Sequence, residues 1–187
     1  MTISAVSITN SALIKIGADR ISSMSESTRS AVLANTIFET LRDEVLRSHP
    51  WNFAIKRVIL SPNSTTPEFD WLYTFDLPSD LLRVWEVYTD DIEYAIEADR
   101  VMVSNETEMD VVYIYRNTDP SQWDTMFAEA LAWRLAMDLS YALTQSISLG
   151  QECERKYKEQ MALARSVDGT EGVLRRLIAD DWTTSRL

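Results

Sequence analysis

The hydrophobic pattern of the chain changes its period twice, and this change limits the folds that it can adopt. Up to residue 50 the apolar residues recur every three or four positions, as in amphipathic helices. Residues 51–117 instead form short β-rich runs between turn-forming segments, and helical spacing returns from residue 118. We therefore predict an α+β fold: a helical bundle of about four helices, an inserted small antiparallel β subdomain and an extended C-terminal tail.

Two helices are predicted before residue 50. The first ends near Gly17, because glycine is suited to the position just after a helix C-terminus. The second follows a cap at Ser25 or Ser27 and runs to about Ser48, since Pro50 blocks its continuation. Its apolar stripe is formed by Leu33, Ile37, Leu41 and Val45.

The middle region, residues 51–117, is predicted to be a small antiparallel sheet. Its connecting segments are short and polar, which favours hairpins over crossover helices. The predicted strands are Phe53–Leu60, Trp71–Leu77, Leu82–Tyr88, Glu93–Ile96, Arg100–Val103 and Asp110–Arg116.

Two further helices are predicted after the β region. Asp119 and Pro120 supply a cap and a first-turn proline for a helix that is apolar on almost every face from Met126 to Leu143. Such a helix belongs in the centre of a bundle or between subunits. Gly150 interrupts the pattern, and an amphipathic helix follows. Its apolar stripe contains Cys153, Tyr157, Met161 and Ala164.

The last segment, residues 168–187, is predicted to be a docking tail. Gly169 and Gly172 loosen the backbone, and apolar side chains then gather on one side of a short helical or hooked segment. We therefore predict that residues 1–50 and 118–167 form the bundle and that residues 51–117 form the β subdomain. The apolar tail residues are Val173, Leu174, Leu177, Ile178 and Trp182.

The negative charge of the chain is concentrated in its middle. The net charge is −11, and residues 60–124 alone carry 15 acidic and 3 basic side chains. Such a surface repels phosphate, so tight binding to the outside of a duplex is disfavoured. An acidic wall around DNA in transit is compatible with this composition, because weak contact is useful there.

The sequence offers little for catalysis or for cofactors. His49 is the only histidine and lies at a helix end, and Cys153 is the only cysteine. Glycine-rich phosphate loops and calcium-loop spacings are missing, so we expect no cofactor, no metal and no enzyme activity. A glycosidase needs only two carboxylates. The candidates are Asp70, Asp76, Glu86 and Glu93, but no pair stands out in so acidic a region.

No membrane span is expected. The chain has no run of 18 apolar residues, and its most apolar stretch, Met126 to Leu143, carries Glu129, Arg134 and Asp138. The N-terminal residues also lack the pattern of a secretory signal, so the chain is expected to be soluble and not exported.

Several segments resemble one family, the podovirus head-to-tail adaptors called tail tubular protein A. The stretch NSALIKIGADRISSMSESTRSA, followed by LRDEVLRSHPWNFAIKRVIL, is similar to the opening of that family. Phe75–Val84 is similar to its Leu-Pro-x-Asp segment, and the Ala-rich helix Phe127–Leu143 lies where the family has one. The resemblance covers residues 8–165, and its most specific piece is His49–Ala54.

The resemblance implies a structural protein of the virion, made in the host cytoplasm. It implies a dodecameric adaptor ring between the portal protein and the tail nozzle protein, with DNA passing through the lumen only in transit. We expect the tail to bind the portal through Val173, Leu174, Leu177, Ile178 and Trp182. Two alternatives stay open: a peptidoglycan hydrolase carried by a virion protein, and a helical interaction module unrelated to phage.

Overall fold

The computed structural model describes residues 2–64, 66–88, 93–104 and 108–171. Within these residues the chain forms four α-helices and six β-strands, and the strands make two three-stranded antiparallel sheets. The predicted α+β fold with four helices is confirmed. Most of the predicted tail lies outside the described residues.

The first helix, α1, spans Ala5–Lys15, and local polar contacts set its ends. The Ser4 hydroxyl accepts a hydrogen bond from the Ser7 backbone N–H at 3.1 Å, and the Ser7 hydroxyl accepts one from the Ser4 N–H at 2.8 Å. After the helix, Gly17 has a φ of 72°, which glycine adopts without steric cost. The predicted end at Gly17 is confirmed.

The second helix, α2, spans Arg29–Arg47, close to its predicted bounds. Its cap is Thr28, whose hydroxyl accepts a hydrogen bond from the Ala31 backbone N–H at 3.4 Å. The predicted caps, Ser25 and Ser27, were therefore wrong. A capping side chain must directly precede the first helical residue, and the helix begins later than the serines allow.

The third helix, α3, spans Thr125–Thr144 and is capped by Asp124, whose carboxylate accepts two backbone N–H groups of the first turn at 2.7 and 3.4 Å. The predicted cap was wrong, because Asp119 instead begins a short 3-10 helix, Pro120–Gln122. Nine residues of α3 are buried, and the helix packs against both preceding helices. It is the central helix of the bundle, as its apolar pattern predicted.

The fourth helix, α4, spans Ile147–Glu171 and packs along α3. Gly150 was predicted to interrupt the helical pattern, and this prediction was wrong, because Gly150 lies inside α4. A Cβ atom at Gly150 would lie 2.9 Å from the Ser140 hydroxyl of α3, so the glycine permits a close crossing of the two helices. The predicted stripe faces the core, with Cys153, Met161 and Ala164 buried.

All six predicted strands are present, but they form two sheets instead of one. The strands are β1 Ile55–Leu60, β2 Tyr73–Asp76, β3 Leu81–Tyr88, β4 Tyr94–Glu97, β5 Arg100–Val103 and β6 Met109–Tyr115. Their order is β1-β6-β3 in the first sheet and β2-β5-β4 in the second. Of these pairs only β4 and β5 are consecutive, so the expectation of hairpins holds for that pair and fails for the other three.

The chain has two buried clusters of apolar side chains. One lies between the two sheets and includes Phe75, Val101 and Met109. The other fills the bundle and also contains Trp51 and Ile114, which lie at or within the first sheet. The bundle and the first sheet therefore share a core, while the predicted boundaries of the three units at residues 50, 117 and 167 stay predictions.

Candidate functional site

The five apolar residues predicted to bind the portal lie outside the described residues. They are Val173, Leu174, Leu177, Ile178 and Trp182. The structure does describe the chain up to Glu171, one residue before Gly172. The site that can be described is therefore the end of α4, from which the tail continues.

Asp168, near the end of α4, is held by the segment that follows α2. Its carboxylate accepts a hydrogen bond from the Asn52 backbone N–H at 3.0 Å, and its second oxygen lies 3.0 Å from His49 Nε2. The Asn52 side-chain amide donates to the Asp168 backbone carbonyl at 2.7 Å. We call these three contacts the clasp. Asp168 is only 9% exposed, so these hydrogen bonds replace contacts with water that the buried carboxylate cannot make.

The clasp residues are positioned by the way α2 ends. The helix stops at Arg47, and Pro50 prevents it from continuing. Trp51 then turns back, and its indole N–H donates to the Val45 carbonyl at 3.1 Å. This side chain is fully buried, and its ring meets Phe127 of α3 edge to face at 5.3 Å. The buried Trp51 side chain thus anchors the backbone on either side of it against the bundle.

A second contact joins α4 to the same segment. The Arg165 guanidinium donates to the Ser48 backbone carbonyl at 3.3 Å, and this carbonyl lies at the C-terminus of α2. A cation is favourable at such a position, because the last carbonyl groups of a helix have no partner within it. The last turns of α4 are thus attached to residues 48–52 through both side chains and backbone.

The pairing of His49 with Asp168 is also found in hydrolytic triads, so its surroundings matter. The neighbouring hydroxyl of Ser48 donates to the Val45 carbonyl at 2.8 Å. The His49 ring packs edge to face on Trp51 at 4.7 Å between centroids. The buried carboxylate also accepts a backbone N–H. The arrangement favours a structural role for His49, as the sequence indicated.

The four candidate carboxylates of the β region differ in their surroundings. Asp76 accepts hydrogen bonds from Arg100 at 3.0 Å and from Asn63 at 2.7 Å. Asp70 and Glu93 are exposed, and Glu86 is half-buried on β3. In the part of the chain that the structure describes, no group of three or more His, Cys, Asp or Glu side chains is placed to hold a metal ion.

A second motif of the resemblance, around Asp80, links strands of the first sheet. Its carboxylate accepts hydrogen bonds from Lys56 at 2.6 Å and from the Tyr113 hydroxyl at 3.1 Å. Burial acts to raise the pKa of Asp80, but these two hydrogen bonds outweigh it and the pKa is lowered. Burial is also the largest cause that raises the pKa of Tyr113 to about 12, and the Asp80 carboxylate adds to it.

Ion pairs connect the bundle to the sheet. Arg116, after β6, lies 2.8 Å from Asp43 of α2, and Arg47 donates to the Leu82 backbone carbonyl. On the bundle side Arg134 bridges α3 to Glu44 of α2 at 3.0 Å. Together with the shared core, these contacts fix the sheet to the helices.

Sequence reasoning missed Asp168 and Asn52 as partners, although a signal was present. The buried stripe of α4 runs through Cys153, Tyr157, Met161 and Ala164, and the same spacing continues to Asp168. A carboxylate on an apolar stripe requires a buried partner. The only histidine of the chain, in the motif His49–Ala54, was the obvious candidate.

No protein-family model matches the chain, and a comparison with curated proteins gives no significant match. Among the described residues, no helix is both long and apolar enough to cross a membrane.

Proposed function

We propose that the chain is a structural connector of the head-to-tail junction of a short-tailed phage. It forms a ring between the portal protein and the tail nozzle, through which DNA passes, and it works by assembly. The proposal rests on the resemblance of residues 8–165 to the tail tubular protein A adaptors. The ring is dodecameric in this proposal, and the protein is a component of the virion.

One structural observation supports the proposal above the others. The most specific piece of the resemblance, His49–Ala54, holds the end of α4 through Asp168, four residues before the chain reaches Gly172. An apolar segment that follows an anchored helix end is suited to docking on a partner.

The distribution of charge supports the proposal that DNA passes through the ring. The β region carries most of the acidic excess, and exposed carboxylates such as Asp76, Glu97 and Asp99 lie around the turn between β4 and β5. Like charge between these groups and DNA phosphates would prevent tight binding. We infer that the β region faces the channel or the nozzle, where DNA must pass without being held.

The proposal is tested by removing the tail. We expect the full chain to bind portal rings purified from the same phage, and a chain that ends at Glu171 to lose this binding while keeping its fold by circular dichroism. Truncation at this point removes none of the residues that form the two described clusters.

Point variants within the tail give a matched comparison. Leu177→Asp places a charge among the proposed apolar contacts, whereas Thr184→Asp adds the same charge near the end of the same tail. We expect the first to abolish portal binding and the second to have little effect. Equal binding by the full chain and by the chain ending at Glu171 would overturn the docking role of the tail.

A further inference from the structure

We propose that the clasp is a positioning device that fixes the end of the described part of α4, from which the tail continues. Asp168, Asn52 and His49 would then determine the affinity for the portal without contacting it. This inference rests on the proposed function, because it assigns the tail a partner. The clasp itself is a property of the isolated chain and can be measured there.

The clasp is the last point at which the described chain is held to the body. Asp168 is the last buried residue of α4, and the three residues that follow are exposed. Among the described residues, a Cβ atom at Gly169 would meet nothing within 4 Å, so this position is not packed against the described body. Beyond the clasp, the Thr170 hydroxyl donates to the Val167 carbonyl at 2.7 Å, which is a contact within the helix.

The turn formed by residues 168–171 would not be stable by itself. Glycine is a poor helix former, and an exposed helix end frays when no tertiary contact holds it. The clasp opposes this fraying in two ways. It pairs the Asp168 carboxylate, and it gives the Asp168 backbone carbonyl a hydrogen bond from the Asn52 side-chain amide.

A fixed exit point raises the population of chains that are ready to bind. If the end of α4 frays, the tail starts from many positions, and the apparent dissociation constant rises by the inverse of the fraction that remains correctly placed. A competent fraction of roughly one tenth would weaken portal binding about tenfold. The intrinsic contacts between tail and portal would be unchanged.

The test uses the full chain and two substitutions at Asp168. Asp168→Ala removes both contacts of the Asp168 carboxylate and leaves the contact of the Asn52 amide with the backbone carbonyl of residue 168. Asp168→Asn keeps an oxygen that can accept the Asn52 N–H, so it is the conservative variant. We expect hydrogen exchange of the amides of residues 166–171 to rise strongly in the first and slightly in the second. Portal affinity should fall about tenfold in the first and largely recover in the second.

Two control variants separate positioning from a general loss of stability. Thr28→Ala removes the cap of α2, distant in sequence from the tail, and Glu171→Ala changes an exposed residue at the end of the same helix. At a temperature where all variants are folded, both should bind portal rings like the wild type. A similar loss of affinity in Thr28→Ala would show that stability, and not position, governs binding.

The two measurements, hydrogen exchange and portal affinity, distinguish a failure of this inference from a failure of the proposed function. If the wild-type chain does not bind portal rings, the adaptor proposal fails, and the exchange data still decide whether the clasp orders the helix end. If the wild type binds and Asp168→Ala binds equally well, the adaptor proposal stands and the positioning inference is overturned. Unchanged exchange in Asp168→Ala would also overturn it.

Discussion

Trp51 links α2, α3 and the clasp, and its replacement by phenylalanine has an effect that can be worked out from the structure. The side chain is fully buried. Phenylalanine leaves a cavity of roughly 40 Å³, which costs about 1 kcal/mol at about 24 cal/mol per Å³. Loss of the indole N–H that donates to the Val45 carbonyl costs about 1 kcal/mol more, at the low end because Ser48 also donates to that carbonyl.

The free energy of unfolding should therefore fall by about 2 kcal/mol in Trp51→Phe. For a chain of this size the midpoint of thermal unfolding would drop by about 4–8 °C. Thermal unfolding followed by circular dichroism measures this shift. Trp85→Phe is the matched control, because Trp85 is 46% exposed and should change stability by less than about 0.5 kcal/mol. If both variants lose the same stability, Trp51 is not the anchor that its burial indicates.

Two further predictions concern close contacts elsewhere in the fold. Gly150→Ala should stabilise α4 by about 1 kcal/mol when Ser140 is also alanine. Beside the native serine the gain should be much less or absent, since the new Cβ would lie 2.9 Å from the Ser140 hydroxyl. Chemical denaturation of the wild type, the two single variants and the double variant measures this coupling, and equal effects with serine and with alanine at 140 would contradict the close crossing. The raised pKa of Tyr113, about 12 against an ordinary 10.0, means that the stability it contributes is complete below pH 10 and is lost as the pH rises through about 12. An ultraviolet titration compared with Asp80→Asn should show one tyrosine ionising earlier in the variant, and superimposable curves would refute the contact.

Much of the fold follows from local pattern. The strand Arg100–Val103 has the predicted bounds, and the end of α1 at Gly17 depends on one residue with a left-handed backbone. Alternation and helical spacing reflect which side of an element is buried, so they are present in the sequence itself. The central position of α3 followed in the same way from its apolar character on almost every side.

Features that depend on distant partners were not predictable by the same means. The pairing of β1 with β6 joins the first and last strands of the region, and no local pattern encodes such a partner. Caps were misassigned for a related reason. Asp119 and Asp124 are equally good capping residues by type, and in the structure Asp119 caps the short 3-10 helix while Asp124 caps α3.

The candidate site also has one part that was predictable from local sequence and one part that was not. The motif His49–Ala54 was recognised in the sequence, but its contact with Asp168 spans more than a hundred residues and required the fold. Asp168 was assigned to the tail because Gly169 follows it. In the structure the glycine lies within α4, which is described to Glu171.

The most direct test of the central claim is a sedimentation velocity measurement on the purified chain, alone and mixed with portal rings from the same phage. The adaptor account predicts that the chain sediments with the portal at a ratio near one chain per portal subunit, and that a chain ending at Glu171 does not. A full-length chain that stays separate from the portal at every ratio would contradict the account, and a test for hydrolysis of purified peptidoglycan would then come first.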